Sequence, residues 1–370
     1  MNISRRHFIN RSTHALGGIA LLGTAGQLLA ACGGDDDDDT ASSQPSATTG
    51  AGAATTAAPA TSAAGETVEV RTAFSWIPAA EWGNWYLGES MGFFKANNIT
   101  STLLHGGPNT PAVSQLVASG GAEIGLAADE LEVIKANAEG SDYVILAASY
   151  QRSPFGYTWL AETPISGPAD IVGKRIGGVQ GDQIRIDAIF KINGLPVDYE
   201  FVPMSYDPQP LVDGEMDIIT SYVTNQPIAL GMQGVETKTA TFSDWGFTTY
   251  GDVIFAPREW VAANRDAAVR YFRALIAGAD ANLADPAATI PVMMSTYGAD
   301  AELDEAFETK ANVEYVKLME SDYTKANGLL SIDLDFVTTK VYPAYEAAGE
   351  TNLPDVASLF DLSVAQDARK

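Results

Sequence analysis

Cysteine is nearly absent: one residue, Cys32, in a chain of 370. No intramolecular disulfide can form, and no cysteine cluster can hold a metal. Histidine is also scarce, with 3 in the chain, and His105 is the only one beyond His14. A His/Cys metal group or a serine–histidine–aspartate set has little to draw on. Basic residues are outnumbered, 22 Lys+Arg against 47 Asp+Glu, for a formal net charge of −25. The basic footprint that nucleic acid binding requires is missing, and no nucleic acid partner is expected. Long apolar runs are missing too. The run from Ala15 to Leu29 is about 15 residues, short of the roughly 20 that span a bilayer.

What is present begins with that run. Arg5 and Arg6 precede Phe8, the apolar stretch follows, and Leu29-Ala30-Ala31-Cys32 ends it. A charged start, an apolar middle and small residues before a cut make a secretory signal, and the paired arginines suit export by the twin-arginine route. The terminal box resembles a bacterial lipoprotein signal, with residues 1–31 removed and Cys32 lipidated. The competing reading, a transmembrane helix with a stray cysteine, is disfavoured by length. From Cys32 to residue 66 the chain reads as a tether: Asp35 to Asp39, then Ser, Thr, Ala, Gly and Pro without an aromatic. Such a segment buries too little apolar surface to order itself, and at about 33 residues it spans roughly 30 Å. A lipid-anchored protein on the extracytoplasmic face of the cell membrane is expected.

The remaining 300 or so residues suffice for two domains. Strands are read at Thr67 to Trp76, Thr100 to Leu104, Ile124 to Ala127 and Val144 to Tyr150, with helices between them at Ala80 to Asn97, Thr110 to Ser119 and Leu131 to Ala138. A second run repeats the scheme from Ala169 to Tyr222, and after Tyr250 the chain reads as helices. Alternation of this kind predicts an α/β protein with mostly parallel sheets covered on both faces.

Phe74-Ser75-Trp76-Ile77-Pro78, Glu89-Ser90-Met91-Gly92-Phe93-Phe94, Gly121-Ala122-Glu123-Ile124-Gly125 and Leu211-Val212-Asp213-Gly214-Glu215-Met216-Asp217 occur in that order. Together they resemble solute-binding proteins of bacterial ABC importers. Gln151-Arg152-Ser153-Pro154, Tyr222-Val223-Thr224-Asn225-Gln226-Pro227 and Tyr250-Gly251-Asp252-Val253 are similar to the branch that includes thiamine-pyrimidine binders and fungal pyrimidine synthases. The resemblance implies a two-lobed periplasmic-binding-protein fold of type II with the ligand cleft between lobes. It implies a first lobe of 67–160 plus 250–370 and a second of 161–249, with hinge crossings near Trp159 and Tyr250. It also implies a monomer that closes around a small molecule and delivers it to the permease and ATPase subunits of a transporter, with no catalysis and no cofactor.

Residues at strand ends are the first ligand-binding candidates, because open α/β sheets bind ligands at their carboxyl edges. They include Trp76, Tyr150 and Tyr222, with Trp82 opening the following helix. Polar candidates beside them are Asn109, Asp129, Gln180, Asp182, Asn225 and Asp252. Amides and carboxylates suit the imide, amine and hydroxyl groups of a heterocycle. An N-cap for Asp182 and a turn role for Asp252 are equal alternatives. Arg152 is expected to pair with Asp129 or Glu130.

One stretch departs from the pyrimidine binders. After Trp76-Ile77-Pro78 they carry an Asn/His-containing segment, where this chain has Ala79-Ala80-Glu81-Trp82-Gly83-Asn84-Trp85. Two tryptophans in place of a histidine suit a larger flat ligand. Riboflavin is therefore expected ahead of a thiamine pyrimidine precursor, provided that Trp82, Trp85 or Tyr86 faces the cleft. The synthases consume their own histidine with a pyridoxal cofactor. This chain lacks that histidine and their Cys-rich segment.

Overall fold

The structure, a computed structural model, describes residues 65–370. The signal segment, Cys32 and nearly all of the tether lie outside the described residues. Ten strands are present among those described: β1 Val68–Ala73, β2 Ile99–Leu104, β3 Ile124–Ala127, β4 Tyr143–Tyr150, β5 Phe155–Leu160, β6 Arg175–Gly178, β7 Glu200–Pro203, β8 Ile218–Tyr222, β9 Thr237–Thr241 and β10 Gly251–Pro257. They form two five-stranded sheets, ordered β2-β1-β3-β10-β4 and β7-β6-β8-β5-β9. The two sheets follow one plan. In the first, β1 pairs in parallel with β2 and β3, and β10 runs antiparallel between β3 and β4. In the second, β6 pairs in parallel with β7 and β8, and β5 runs antiparallel between β8 and β9.

The α/β class and the two-sheet plan agree with the sequence reading, but the sheets are mixed rather than mostly parallel. Each is crossed by one strand donated from elsewhere in the chain. β10, expected as the start of an all-helical region, is a strand between two neighbours, buried over residues 251–256. β5, expected to end the first lobe, belongs to the second sheet. The crossings are Gln151–Pro154 and Phe242–Tyr250, and Trp159 is a buried residue within β5. The two crossings are tied where Ser153 N donates to Thr249 O at 3.1 Å.

The helix expected over Ala80–Asn97 is broken into a short turn at Ala80–Trp82, a helix Gly83–Ser90 and a turn Phe93–Ala96. Gly92 makes the break at φ 75°, a left-handed conformation that glycine adopts without a side-chain clash. Helix Gly83–Ser90 packs against the long helix Arg265–Ala284 at very close range. A Cβ on Gly278 would lie 2.1 Å from the Asn84 carbonyl oxygen, so only glycine fits there. Trp82, Trp85 and Tyr86 all enter this core, with Trp85 Nε1 donating to the Tyr271 hydroxyl at 2.7 Å. No helix among the described residues is long and apolar enough to cross a membrane.

Candidate ligand-binding site

The carboxyl ends of the parallel strands of both sheets converge on one cavity of about 540 Å³. This lies within the 300–1,000 Å³ range of small-molecule sites. The first sheet contributes Ser75 and Trp76 from the loop after β1, Glu81 from the turn Ala80–Trp82, and Ala128 and Leu131 after β3. The second contributes Gln180 to Asp182 after β6, Tyr206 after β7, Tyr222 at the end of β8, and Asn225 and Gln226 at the following helix start. Phe155, Phe247 and Tyr315 complete an aromatic lining. Trp76 meets Tyr206 across the cavity with centroids 5.2 Å apart and planes at 69°. Phe155 and Tyr222 stand edge to face at 4.6 Å. Ring faces and edges exposed on both sides suit a flat aromatic guest.

Five expected residues line this cavity: Trp76, Gln180, Asp182, Tyr222 and Asn225. Asp182 occupies the N-cap position of helix Gln183–Ile192, yet its side chain does not cap it. It accepts instead from Val179 N at 3.1 Å and Thr220 Oγ1 at 2.5 Å, and burial raises its pKa. Asn225 ends the Tyr222 turn and leads into helix Gln226–Met232, which Gln226 secures by accepting from Tyr222 N at 2.9 Å.

The other five are placed differently. Trp82 is fully buried in the first core and bonds through Nε1 to Ile77 O at 3.0 Å. Helical spacing identified its neighbours but not the face it turns. Tyr150 is buried as well, stacked on Tyr315 at 5.6 Å and donating its hydroxyl to Glu81 O at 3.0 Å. It supports the turn that presents Glu81 and does not line the cavity. Asn109 is exposed on the Gly-Gly-Pro loop, away from the lining residues. Asp129 N-caps helix Glu130–Ala138 through Leu131 N and binds Arg185 Nη2 at 2.9 Å. The partner expected for it, Arg152, lies instead 3.7 Å from Asp244. Asp252 is a buried strand residue rather than a turn residue, with φ 47° inside β10.

The buried Asp252 and Glu81 carboxyls are neighbours, and two carboxylates side by side resist ionising together. Burial, then the neighbouring Asp252 and Glu308, drive the Glu81 pKa far up, and burial lifts Asp252 to about 7. Opposite the two carboxyls, Arg185 lies 5.1 Å from the centroid of the Phe155 ring and is held by Asp129. This ion pair joins the helix after β6 to the helix after β3, so it crosses between the two sheets.

Glu81, Arg185 and Tyr315 were not among the expected residues. Glu81 had a signal: it is the one acid in an otherwise small and aromatic stretch directly after Trp76-Ile77-Pro78. Tyr315 had none, because its helix lies more than 200 residues beyond Trp76 and Glu81 in the chain. His105, the only histidine among the described residues, binds the Tyr86 hydroxyl at 2.7 Å and stacks on Phe74, outside the cavity lining. No group of three or more His, Cys, Asp or Glu among the described residues is arranged to hold a metal ion.

The fold recurs in known proteins. The NMT1/THI5-like family model matches residues 80–289. No curated protein sequence matches the chain. Among solved structures, the periplasmic aliphatic sulphonate binding protein SsuA of Escherichia coli superposes with a TM-score of 0.61 at 13% identity, covering 79% of this chain and 97% of that one. The periplasmic sulfonate-binding protein SsuA of Methylobacillus flagellatus gives 0.59 at 17%, covering 82% and 94%. The desulfurization enzyme DSZB gives 0.54 at 14%, covering 81% and 99%. At these identities the likeness is one of fold, and it spans transport proteins and an enzyme. The periplasmic-binding-protein architecture and the family match over more than half of the chain lead to one assignment: the chain belongs to the NMT1/THI5-like family.

Proposed function

We propose that this chain is a solute-binding protein that captures a planar heteroaromatic small molecule and delivers it to an ABC importer. The observation that carries the reading is the cavity between the sheets, walled by Trp76 from one side and Tyr206 and Tyr222 from the other. Closure of the two sheets around a guest would use the paired crossings at Gln151–Pro154 and Phe242–Tyr250 as hinge. The Leu29-Ala30-Ala31-Cys32 box supports a lipid anchor at Cys32 on the extracytoplasmic face, with the protein acting as a monomer on its tether.

Binding is favoured over catalysis by the cavity's chemistry. Its lining holds no histidine and no cysteine. The stretch Ala79 to Trp85 carries no histidine, and its two tryptophans are in the core. Of the two ligands anticipated, riboflavin draws support from the number of rings in the lining. Its original recommendation, rings from Trp82, Trp85 or Tyr86, fails because all three are fully buried. A thiamine-type aminopyrimidine draws support from Glu81, whose carboxyl can accept from its amino group.

Calorimetric titration with riboflavin and with the aminopyrimidine precursor of thiamine tests the reading. Saturable binding of at least one, with quenching of riboflavin emission if it is the flavin, is expected. Binding of an alkanesulfonate with neither ring compound bound would overturn it.

A further inference from the structure

A second cavity, of about 150 Å³, lies where the helix Ser363–Ala368 meets the loop 328–333 and the edge strand β4. It shares no lining residue with the cleft and holds one charged group, Arg369. Every arginine among the described residues except Arg273 and Arg369 lies within ion-pair distance of a carboxylate. Arg273 is exposed, where water serves its charge. Arg369 is half-buried, and burial lowers its pKa, with Asp280 acting on it only from beyond ion-pair distance. One N–H on Nη1 donates to Ala365 O at 2.8 Å and one on Nη2 to Leu329 O, while Nε is buried without a partner. One N–H is left on each Nη nitrogen, a pair that suits the two oxygens of a carboxylate.

Arg369 also grips a strained loop. Gly328, at φ 89°, approaches its Nε so closely that a Cβ there would lie 2.6 Å away. Leu330 is held at φ 66°, an outlying conformation for a leucine, and strain of this kind collects at ligand clamps and switch regions. The same loop reaches both crossings between the sheets. Ser331 O accepts from Gln151 Nε2 at 2.9 Å, and Asp333 N donates to the Tyr250 hydroxyl at 2.9 Å.

We propose that this cavity is a second ligand site, which takes a small monocarboxylate with a short apolar tail and braces the loop behind the two crossings. The carboxylate lies on Arg369, with the Gln366 amide and Tyr323 hydroxyl as further donors, and the tail lies among Leu146, Ile332 and Leu362. Asp280 acts on Arg369, and Asp333 and Asp335 act on Tyr323, so the surroundings favour one negative charge over two. The volume is below the roughly 300–1,000 Å³ of drug-sized sites, so the guest has few heavy atoms. The site is independent of what the cleft binds.

Calorimetric titration of the purified protein at neutral pH with butyrate, its neutral isostere butyramide, and sulfate tests this, with hydrogen exchange read by mass spectrometry. Butyrate should bind at a single site with a Kd of about 1 mM or tighter and slow exchange across the loop 328–333. Butyramide should bind about tenfold or more weakly, and sulfate more weakly than butyrate. Arg369→Gln should remove the preference for butyrate over butyramide. If that variant fails to fold, Gln366→Ala, at an exposed position, should still weaken butyrate by about threefold. No saturable binding of butyrate, equal affinities for butyrate and butyramide, or an unchanged affinity in both variants would overturn the site. Protection confined to the cleft lining would overturn its location, and tightest binding of sulfate would overturn the class of ligand.

Discussion

Replacing Asp129 by asparagine removes one charge and little else. The Asp129 carboxylate uses one oxygen to cap Leu131 N at 3.1 Å and the other to bind Arg185 Nη2 at 2.9 Å. Asparagine keeps an oxygen for the cap, so Asp129→Asn isolates the ion pair. Arg185 is then left against the Phe155 ring with its charge unanswered. Breaking a fully buried pair in this way costs about 3–5 kcal/mol. The Arg185 side chain is 24% exposed against 5% for Asp129, so water reaches the guanidinium and reduces the cost to about 1–2 kcal/mol. Urea unfolding followed by tryptophan fluorescence measures this. A double-mutant cycle with Arg185→Met separates the pair from the loss of either side chain, and its coupling should be about 1–2 kcal/mol. Because the pair joins the two sheets, Asp129→Asn should also enlarge the unliganded protein in X-ray scattering. Coupling below about 0.3 kcal/mol, within the additivity of independent sites, together with an unchanged radius of gyration would show that the pair does not hold the sheets together.

Trp76→Ala should weaken ligand binding by about 1–3 kcal/mol in calorimetry, the worth of burying a large ring against the guest; unchanged affinity with the fold intact would place Trp76 outside the site. Glu130 is buried, accepts the Tyr345 hydroxyl at 2.9 Å, and has its pKa lifted by burial from an ordinary 4.5 to about 8. A raised carboxyl pKa means that the folded state holds a proton which the unfolded chain has released. The stability linked to that proton is present in full below about pH 4.5 and is lost as pH rises through 8. Glu130→Gln should flatten the fall in unfolding free energy between pH 5 and 8; an equally steep fall in the variant would assign it to other groups. Cys32→Ala should release the protein from the membrane fraction or block its processing, without altering ligand affinity; normal processing and retention would refute the lipid anchor.

Strand-end logic located much of the cleft from sequence. Trp76, Gln180, Asp182, Tyr222 and Asn225 each follow a strand that local alternation and turn residues made visible, and all five line the cavity. What local pattern could not supply was pairing across the chain. β10 was hidden because Gly251-Asp252 reads as a turn, and its Val253-Ile254-Phe255 run is stabilised by β3 and β4 from more than 100 residues earlier. β5 was hidden for the same reason, since its partners β8 and β9 follow it by about 60 residues or more. Trp82 and Tyr150 show a second limit. Each was placed near the cleft correctly along the chain, but the face a side chain takes depends on what packs against it. Helix Arg265–Ala284 draws the aromatic residues of Gly83–Ser90 into the core, and Tyr315 covers Tyr150. The turn that buries Trp82 also presents Glu81 to the cavity, which moves the chemistry of this stretch from its rings to its acid.

What occupies the cavity between the sheets decides what this protein does. Mass spectrometry of the small molecules released when the protein, purified from its own membranes, is denatured tests this directly. A flat nitrogen heteroaromatic, released at close to one molecule per chain, is the predicted result. An aliphatic sulfonate or another non-aromatic anion, released at that stoichiometry, would contradict the account.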